Sequence, residues 1–266
     1  MLKATEIKAA AHALYNAEFD RVQIGLLTQK YPNIEMTDAY SIQKALVQLK
    51  IESGQKIVGW KIGLTSKAMQ YALNIDIPDS GVLMDDMEFS NDSKIPSGRF
   101  IQPRIEAEIA FVMKSSLGGY VTVEDVIQAT DFVCPALEIL DTRILRLDNV
   151  TGKSRGICDT ISDNAANAGI ILGDKRHSPR DIDLRWVGAI VTRDGEVEET
   201  GLGAGVLNDP IMGIVWLAKR MSDYGQKIEE GQVILSGSFV RAIEAPSGSK
   251  INADFGSFGR AGCVFL

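Results

Sequence analysis

The residues with the clearest chemical potential lie in the run Arg104-Ile105-Glu106-Ala107-Glu108-Ile109-Ala110-Phe111-Val112. Read as a strand, it places Glu106 and Glu108 on one face with Ala110 and Val112, roughly 7 Å apart along the chain. Ile105, Ala107, Ile109 and Phe111 form the other face, so both sides are largely apolar, as in a strand covered on both faces. Two carboxylates in such a strand are costly to desolvate as free anions, and a bound cation removes that cost. A second apolar run, Cys134-Pro135-Ala136-Leu137-Glu138-Ile139-Leu140-Asp141, carries Glu138 in an equally improbable place. Three glutamates with no neighbouring Cys or His make a hard, all-oxygen site suited to Mg²⁺ or Mn²⁺. The competing reading puts Glu106 and Glu108 on the solvated side of an edge strand and pairs Glu138 with an arginine such as Arg143.

Lys61 sits in Ile57-Val58-Gly59-Trp60-Lys61-Ile62-Gly63, an apolar run whose glycines let other groups approach. Burial disfavours a charged lysine unless an anion stands beside it, so Lys61 is a candidate proton donor or carboxylate clamp. The alternative is a packed stem with its ammonium in solvent. Asp79, in Ile77-Pro78-Asp79-Ser80-Gly81, is a functional candidate or a simple turn former. Gly201-Leu202-Gly203-Ala204-Gly205 lacks both the spacing of a dinucleotide fingerprint and the Lys-Ser/Thr of a phosphate loop. His12 and His177 have no convincing Ser or Cys partner, which argues against a histidine-assisted nucleophile.

The elements that must position these groups fall into two textures. The first fifty or so residues read as helical, with Tyr15, Phe19, Val22 and Leu26 at helical spacing and a break at Tyr31-Pro32-Asn33. A second helix is expected to open at Thr37 as cap, bury Ala39, Ile42, Leu46 and Leu49, and stop near Gly54. From residue 57 onward short β-like runs dominate, at 57–62, 105–113, 136–140, 169–172, 186–192, 196–200, 233–235, 241–245 and 263–266. Asp194-Gly195 predicts a hairpin turn, and helices are expected over 122–129 and 209–221, the latter with Asp209 as cap and Pro210 in its first turn. Strands outnumber helices without alternating regularly with them. The expectation is an α+β fold, with a helical N-terminal segment over 1–56 and a mixed-β catalytic domain over 57–266.

Composition narrows the function classes. With 266 residues, 45% hydrophobic and 24% charged, the chain is of ordinary globular type and long enough to bury a large core. Its 35 acidic and 28 basic residues give a net charge of −7, with no basic block to neutralise phosphates, so nucleic acid is a poor partner. No apolar run approaches the roughly 20 residues of a membrane span, and residues 1–11 lack a secretory pattern, so a cytoplasmic location is expected. Cys134, Cys158 and Cys263, widely spaced and odd in number, read as reduced packing residues.

Several segments carry a resemblance in matching order along nearly the whole chain. They are Val58-Gly59-Trp60-Lys61-Ile62-Gly63-Leu64-Thr65-Ser66, Pro103-Arg104-Ile105-Glu106-Ala107-Glu108, Pro135-Ala136-Leu137-Glu138, the stretch 159–169, and Leu235-Ser236-Gly237-Ser238-Phe239. The sequence resembles the hydratase/decarboxylase family of meta-cleavage pathways, related to fumarylacetoacetate hydrolase. The resemblance implies the mixed-β core of that superfamily and a divalent cation, usually Mg²⁺, on Glu106, Glu108 and Glu138. It also implies Lys61 as active-site lysine, Asp79 as acid/base, Ser162 and Ser238 lining the substrate pocket, and homo-oligomers built from dimers. The implied reaction is hydration of a small 2-oxo-enoic or 2-hydroxydienoic acid, foremost a seven-carbon diacid, in aromatic catabolism. Its rivals are decarboxylation of a 2-oxo-3-enedioate, hydration of a five-carbon dienoate, and a non-catalytic metal-binding scaffold. Arg104, Arg143 and Arg155 stand as candidates to hold a distal carboxylate.

Overall fold

The computed structural model describes residues 1–67, 70–71 and 77–266. Helices α1 (Ala4–Asp20), α2 (Leu27–Lys30) and α3 (Met36–Glu52) form the N-terminal segment. Strands β1 (Ile57–Gly63), β2 (Asp79–Met84), β3 (Glu88–Phe89), β4 (Ser93–Ile95) and β5 (Arg104–Met113) follow. Next come α4 (Val123–Ala129), β6 (Thr130–Leu140), α5 (Ile157–Ser162), β7 (Asn167–Leu172), β8 (Gly188–Arg193) and β9 (Glu196–Leu202). Helix α6 (Pro210–Asp223) precedes β10 (Val233–Leu235), β11 (Ile243–Glu244), β12 (Lys250–Asp254) and β13 (Arg260–Phe265).

The described residues form two mixed sheets. The larger runs β2-β1-β10-β5-β6-β7-β3, with β11 also paired to β5, and the smaller runs β4-β13-β12-β8-β9. The main core lies between them: Ile105, Ala107, Ile109 and Phe111 of β5 pack in one cluster with Ile251, Ala253 and Phe265 of the smaller sheet and the apolar stripe of α6. The opposite face of β5 packs Ala110 and Val112 with Cys134, Ala136, Ile170, Val233 and Leu235. Both faces of β5 are thus covered, as its apolar pattern requires. The architecture is the expected α+β one.

The N-terminal segment departs in detail from its sequence pattern. Helix α1 ends at Asp20 with Arg21 in the left-handed region, and Phe19 and Val22 are 78% and 63% exposed. Its buried stripe is Ala10, Ala11, Leu14 and Ala17, of which Ala10, Ala11 and Leu14 pack in one cluster with Ile42 and Leu46 of α3. Helix α3 starts at Met36 rather than at a Thr37 cap; the Asp38 carboxylate accepts from Glu35 N at 3.1 Å and from Leu2 N at 2.8 Å. The cap falls at Glu35 rather than Thr37 because Asp38, in the first turn, reaches back to the Glu35 N–H.

Other departures bear on the site. Asp79 does not form a turn but opens β2. Arg143 does not pair with Glu138: its guanidinium is buried against Asp163, with Nε–Oδ1 at 2.5 Å and Nη1 donating to Asn167 O at 3.0 Å. The segments 79–84 and 250–254 were missed as strands, and 157–162 as a helix. The hairpin at Asp194-Gly195 and the Asp209 cap of α6 form as predicted.

Candidate metal and acid/base centre

Register places the candidate groups on one face. Glu106 stands directly opposite Glu138 in the antiparallel β5/β6 pair, and Glu108 stands opposite Ala136. Across the sheet, Lys61 aligns with Leu235, Leu235 with Ala110, and Ala110 with Cys134. Opposed residues share a face, so Lys61 projects on the side of the three glutamates. In the β1/β2 pair, Lys61 is opposite Gly81 and Gly63 is opposite Asp79. Lys61 and Asp79 are therefore diagonal neighbours on that same face.

Glycine makes the room. A Cβ on Gly63 would lie 2.2 Å from Asp79 Oδ1, and one on Gly81 would lie 3.2 Å from the Lys61 stem. These two positions answer directly across the pair to the two functional side chains, which fold over the bare backbone.

The three carboxylates each offer an oxygen within 4.8 Å of the other two. Glu108 and Glu138 are buried, whereas Glu106 is half-buried and forms the open side of the group. Glu108 Oε2 accepts from Gly237 N at 2.8 Å, which fixes that carboxylate, while its Oε1 has no hydrogen-bond partner among the described residues. Both oxygens of Glu138 also lack one, although Lys61 Nζ approaches Oε1 at 3.2 Å as an ion pair. Asp79 Oδ1 is likewise buried and has no partner among the described residues.

The electrostatics follow from this crowding. Burial and then the Glu138 charge push Glu106 up to about 8. Burial, Glu138 and Glu106 push Glu108 well above the ordinary carboxylate range. Burial raises Glu138 and Asp79 too, with Lys61 opposing the rise in both. For Lys61, burial works against the ammonium, but Glu138, Asp79, Glu106 and Glu108 outweigh it and the pKa is raised. Four acids surround one cation. A hard divalent ion fits this donor set, because it meets unpartnered buried oxygens and offsets their mutual repulsion.

Supporting residues come from places that spacing could not reveal. Asn164 Oδ1 accepts from Val82 N and its Nδ2 donates to Val82 O, at 2.8 and 2.9 Å, which holds β2 and hence Asp79 in place. Asn164, Ala165 and Ala166 all have positive φ, a strained run that turns this clamp toward β2. The Tyr40 hydroxyl of α3 is pushed to about 12 by burial and the Asp79 charge. Ser162 ends α5 with its hydroxyl buried and without a partner among the described residues. Ser238 differs: its hydroxyl donates to Val240 O at 2.8 Å and shapes the turn after β10. His12 is exposed, and His177 stacks on Phe258, so neither belongs to this group.

No family model matches the chain. Similarity to individual proteins is extensive. The chain is 48% identical to 2-oxo-hept-4-ene-1,7-dioate hydratase of Escherichia coli over 257 residues, covering 96% of each. The chain belongs to the hydratase/decarboxylase family of meta-cleavage enzymes. Within that family it is 41% identical to 2-keto-4-pentenoate hydratase of Paraburkholderia xenovorans, over 86% of this chain and 83% of the relative. Among solved structures, 4-oxalocrotonate decarboxylase from Pseudomonas putida G7, complexed with magnesium and adipate, superposes with a TM-score of 0.93 at 31% identity, covering 100% of this chain and 99% of that one. The fold is of the fumarylacetoacetate hydrolase type, as a TM-score of 0.57 to a fumarylacetoacetate hydrolase family protein from Yersinia pestis shows for the fold alone.

Proposed function

We propose that this protein is a divalent-metal-dependent hydratase of aromatic catabolism, adding water to a 2-oxo-enoic or 2-hydroxydienoic acid to give a 4-hydroxy-2-oxo acid. The seven-carbon diacid 2-oxohept-4-ene-1,7-dioate is the substrate that the 48% identical relative supports. The observation that carries the reading is the buried group of Glu106, Glu108 and Glu138, each with an oxygen within 4.8 Å of the others, beside the Lys61 and Asp79 pair.

The glutamates would hold the ion, with Mg²⁺ preferred and Mn²⁺ an alternative; the magnesium complex of the decarboxylase relative supports this choice. When bound, the ion supplies Lewis acidity toward the oxygens of a 2-oxo acid. The chain's own groups move protons. Lys61 stays charged through its four acidic neighbours and donates a hydrogen bond to a developing oxyanion. Asp79, whose affinity for a proton is raised by burial, exchanges one through its unpartnered Oδ1. Enolisation of the 2-oxo-4-enoate moves a C3 proton to the 2-oxygen, and ketonisation of the resulting 2-hydroxydienoate takes the proton from the 2-hydroxyl and places one at C5. Water then contributes hydroxide to C4 and a proton to C3, so the carbon skeleton is kept. Ser162 presents a buried hydroxyl to the substrate pocket, and Ser238 shapes its wall.

The helical segment 1–56 supports the site domain 57–266, with Gln43 donating to Ser80 O at 2.8 Å beside Asp79. No described helix is long and apolar enough to cross a membrane, and we place the protein in the cytoplasm. Exposed Ile190 and Leu202 on the smaller sheet, with exposed Trp186 in the turn just before β8, support a homo-oligomer assembled from dimers.

Incubation of the protein and Mg²⁺ with the seven-carbon 2-hydroxydienoate tests the reading. Loss of the diene absorbance with formation of the 4-hydroxy-2-oxo acid is expected. The 31% identical decarboxylase motivates the rival, which a 2-oxo-3-enedioate substrate decides: release of CO₂ at the faster rate would replace hydration with decarboxylation.

A further inference from the structure

Beyond the glutamates, the same face of the sheet continues into a second charged region. Arg104 is two residues before Glu106 in β5, so it projects on the glutamate side, roughly 7 Å further along. Its partner across the ladder, Leu140, is two residues beyond Glu138. Past Leu140 comes buried Thr142, whose Oγ1 accepts from Arg155 Nη1 at 2.5 Å. Arg155 N donates to Arg146 O at 2.9 Å, and Arg146 Nη2 donates to Gln102 O at 2.9 Å. Three arginines are thus stitched around one edge of the site.

Their counter-charges are largely committed elsewhere. Asp141 accepts from Ile101 N and Gln102 N at 2.8 and 2.7 Å. Asp163 is held by Arg143, which removes that arginine from the candidates for a carboxylate clamp. Glu244 pairs with Arg104 Nη2 at 3.0 Å but is 65% exposed, and Arg104 Nε is buried with no partner among the described residues. Burial, then Arg104 and Arg155, push Arg146 down to about 10, so positive charge is in excess here.

We infer that Arg104 and Arg155 bind the distal carboxylate of a dicarboxylic 2-oxo acid, so that this site selects a diacid over a monoacid. The inference rests on the hydratase reading for the placement of the 2-oxo end at the glutamates. One alternate step along the strand separates the two ends, which suits the span of a seven-carbon chain. A guanidinium recognises a carboxylate through paired N–H donors, and two of them set against a half-buried edge favour the second anionic group over a methyl end.

The test uses two saturated, unreactive ligands, 2-oxoheptanedioate and 2-oxopentanoate, titrated calorimetrically into the full chain with Mg²⁺. The wild type is expected to prefer the diacid, and Arg104→Gln and Arg155→Gln each to lower the diacid-to-monoacid affinity ratio at least tenfold, with Arg104→Lys restoring part of it. A wild type with no preference, a ratio unchanged in both variants, or a parallel loss of both affinities would overturn the inference. The hydratase reading fails separately: arginine-dependent preference in a protein that hydrates no dienoate leaves the clamp standing and removes the reaction.

Discussion

Glu106 and Glu138 face each other directly across the β5/β6 ladder, two like charges in a position where sheets ordinarily place a complementary pair. Lys61, 3.2 Å from Glu138, offsets only part of that repulsion because Glu108 and Asp79 add two more acids. Such an arrangement is unfavourable for the metal-free chain and is relieved by a divalent ion.

The first consequence is a pH dependence of stability in the metal-free protein. Glu106 titrates at about 8 in the fold, against an ordinary value of 4.5. A carboxyl raised on folding binds its proton more tightly in the native state, so stability is lost as pH rises through this window. After chelation, the melting temperature is expected to fall between pH 5 and pH 8. Because an ion needs deprotonated ligands, the stabilisation by added Mg²⁺ should grow over the same range. A metal-free melting temperature that rises toward pH 8 would contradict this.

Gly63→Ala probes the diagonal pair. The added Cβ would lie 2.2 Å from Asp79 Oδ1 and 3.4 Å from Lys61 Nζ, so Asp79 must move. Displacement of a catalytic group by about 1 Å can cost about 100-fold in rate, and a loss of that order in kcat is expected with an intact far-UV circular dichroism spectrum. Wild-type kcat in this variant would remove Asp79 from the proposed chemistry.

Arg143→Met tests a structural pair. Arg143 and Asp163 are 2% and 0% exposed, and removing one partner leaves the other charge buried. Urea denaturation should show a loss of about 3–5 kcal/mol. A change below about 1 kcal/mol would mean that the pair contributes little.

How much of this was legible depends on distance along the chain. Glu106 and Glu108 announce themselves because carboxylates interrupt a strand with two apolar faces, a local pattern. Glu138 was visible for the same reason, but its position opposite Glu106 is set by register, which a one-dimensional pattern does not specify. Lys61 was ambiguous until β2 supplied Gly81 and Asp79 beside it. Asp79 was a candidate from the sequence but its strand was hidden, since Pro78 and Gly81 give its segment the composition of a turn while tertiary pairing makes it a strand. Asn164 lies in the stretch 159–169 that carries the resemblance, but its role left no signal, because it bonds the backbone of Val82, 82 positions away. Arg143 misled: a lone arginine shortly after Glu138 invites a pairing that the fold gives to Asp163.

The central claim is most directly tested by calorimetric titration of Mg²⁺ into the wild type and Glu138→Gln, with turnover of the seven-carbon dienoate measured on the same samples. Loss of an outer-shell partner already costs about 10–100-fold in metal affinity, so loss of a ligand should weaken Mg²⁺ binding by at least about tenfold and abolish most turnover. Unchanged ion affinity and unchanged turnover in Glu138→Gln would contradict the account.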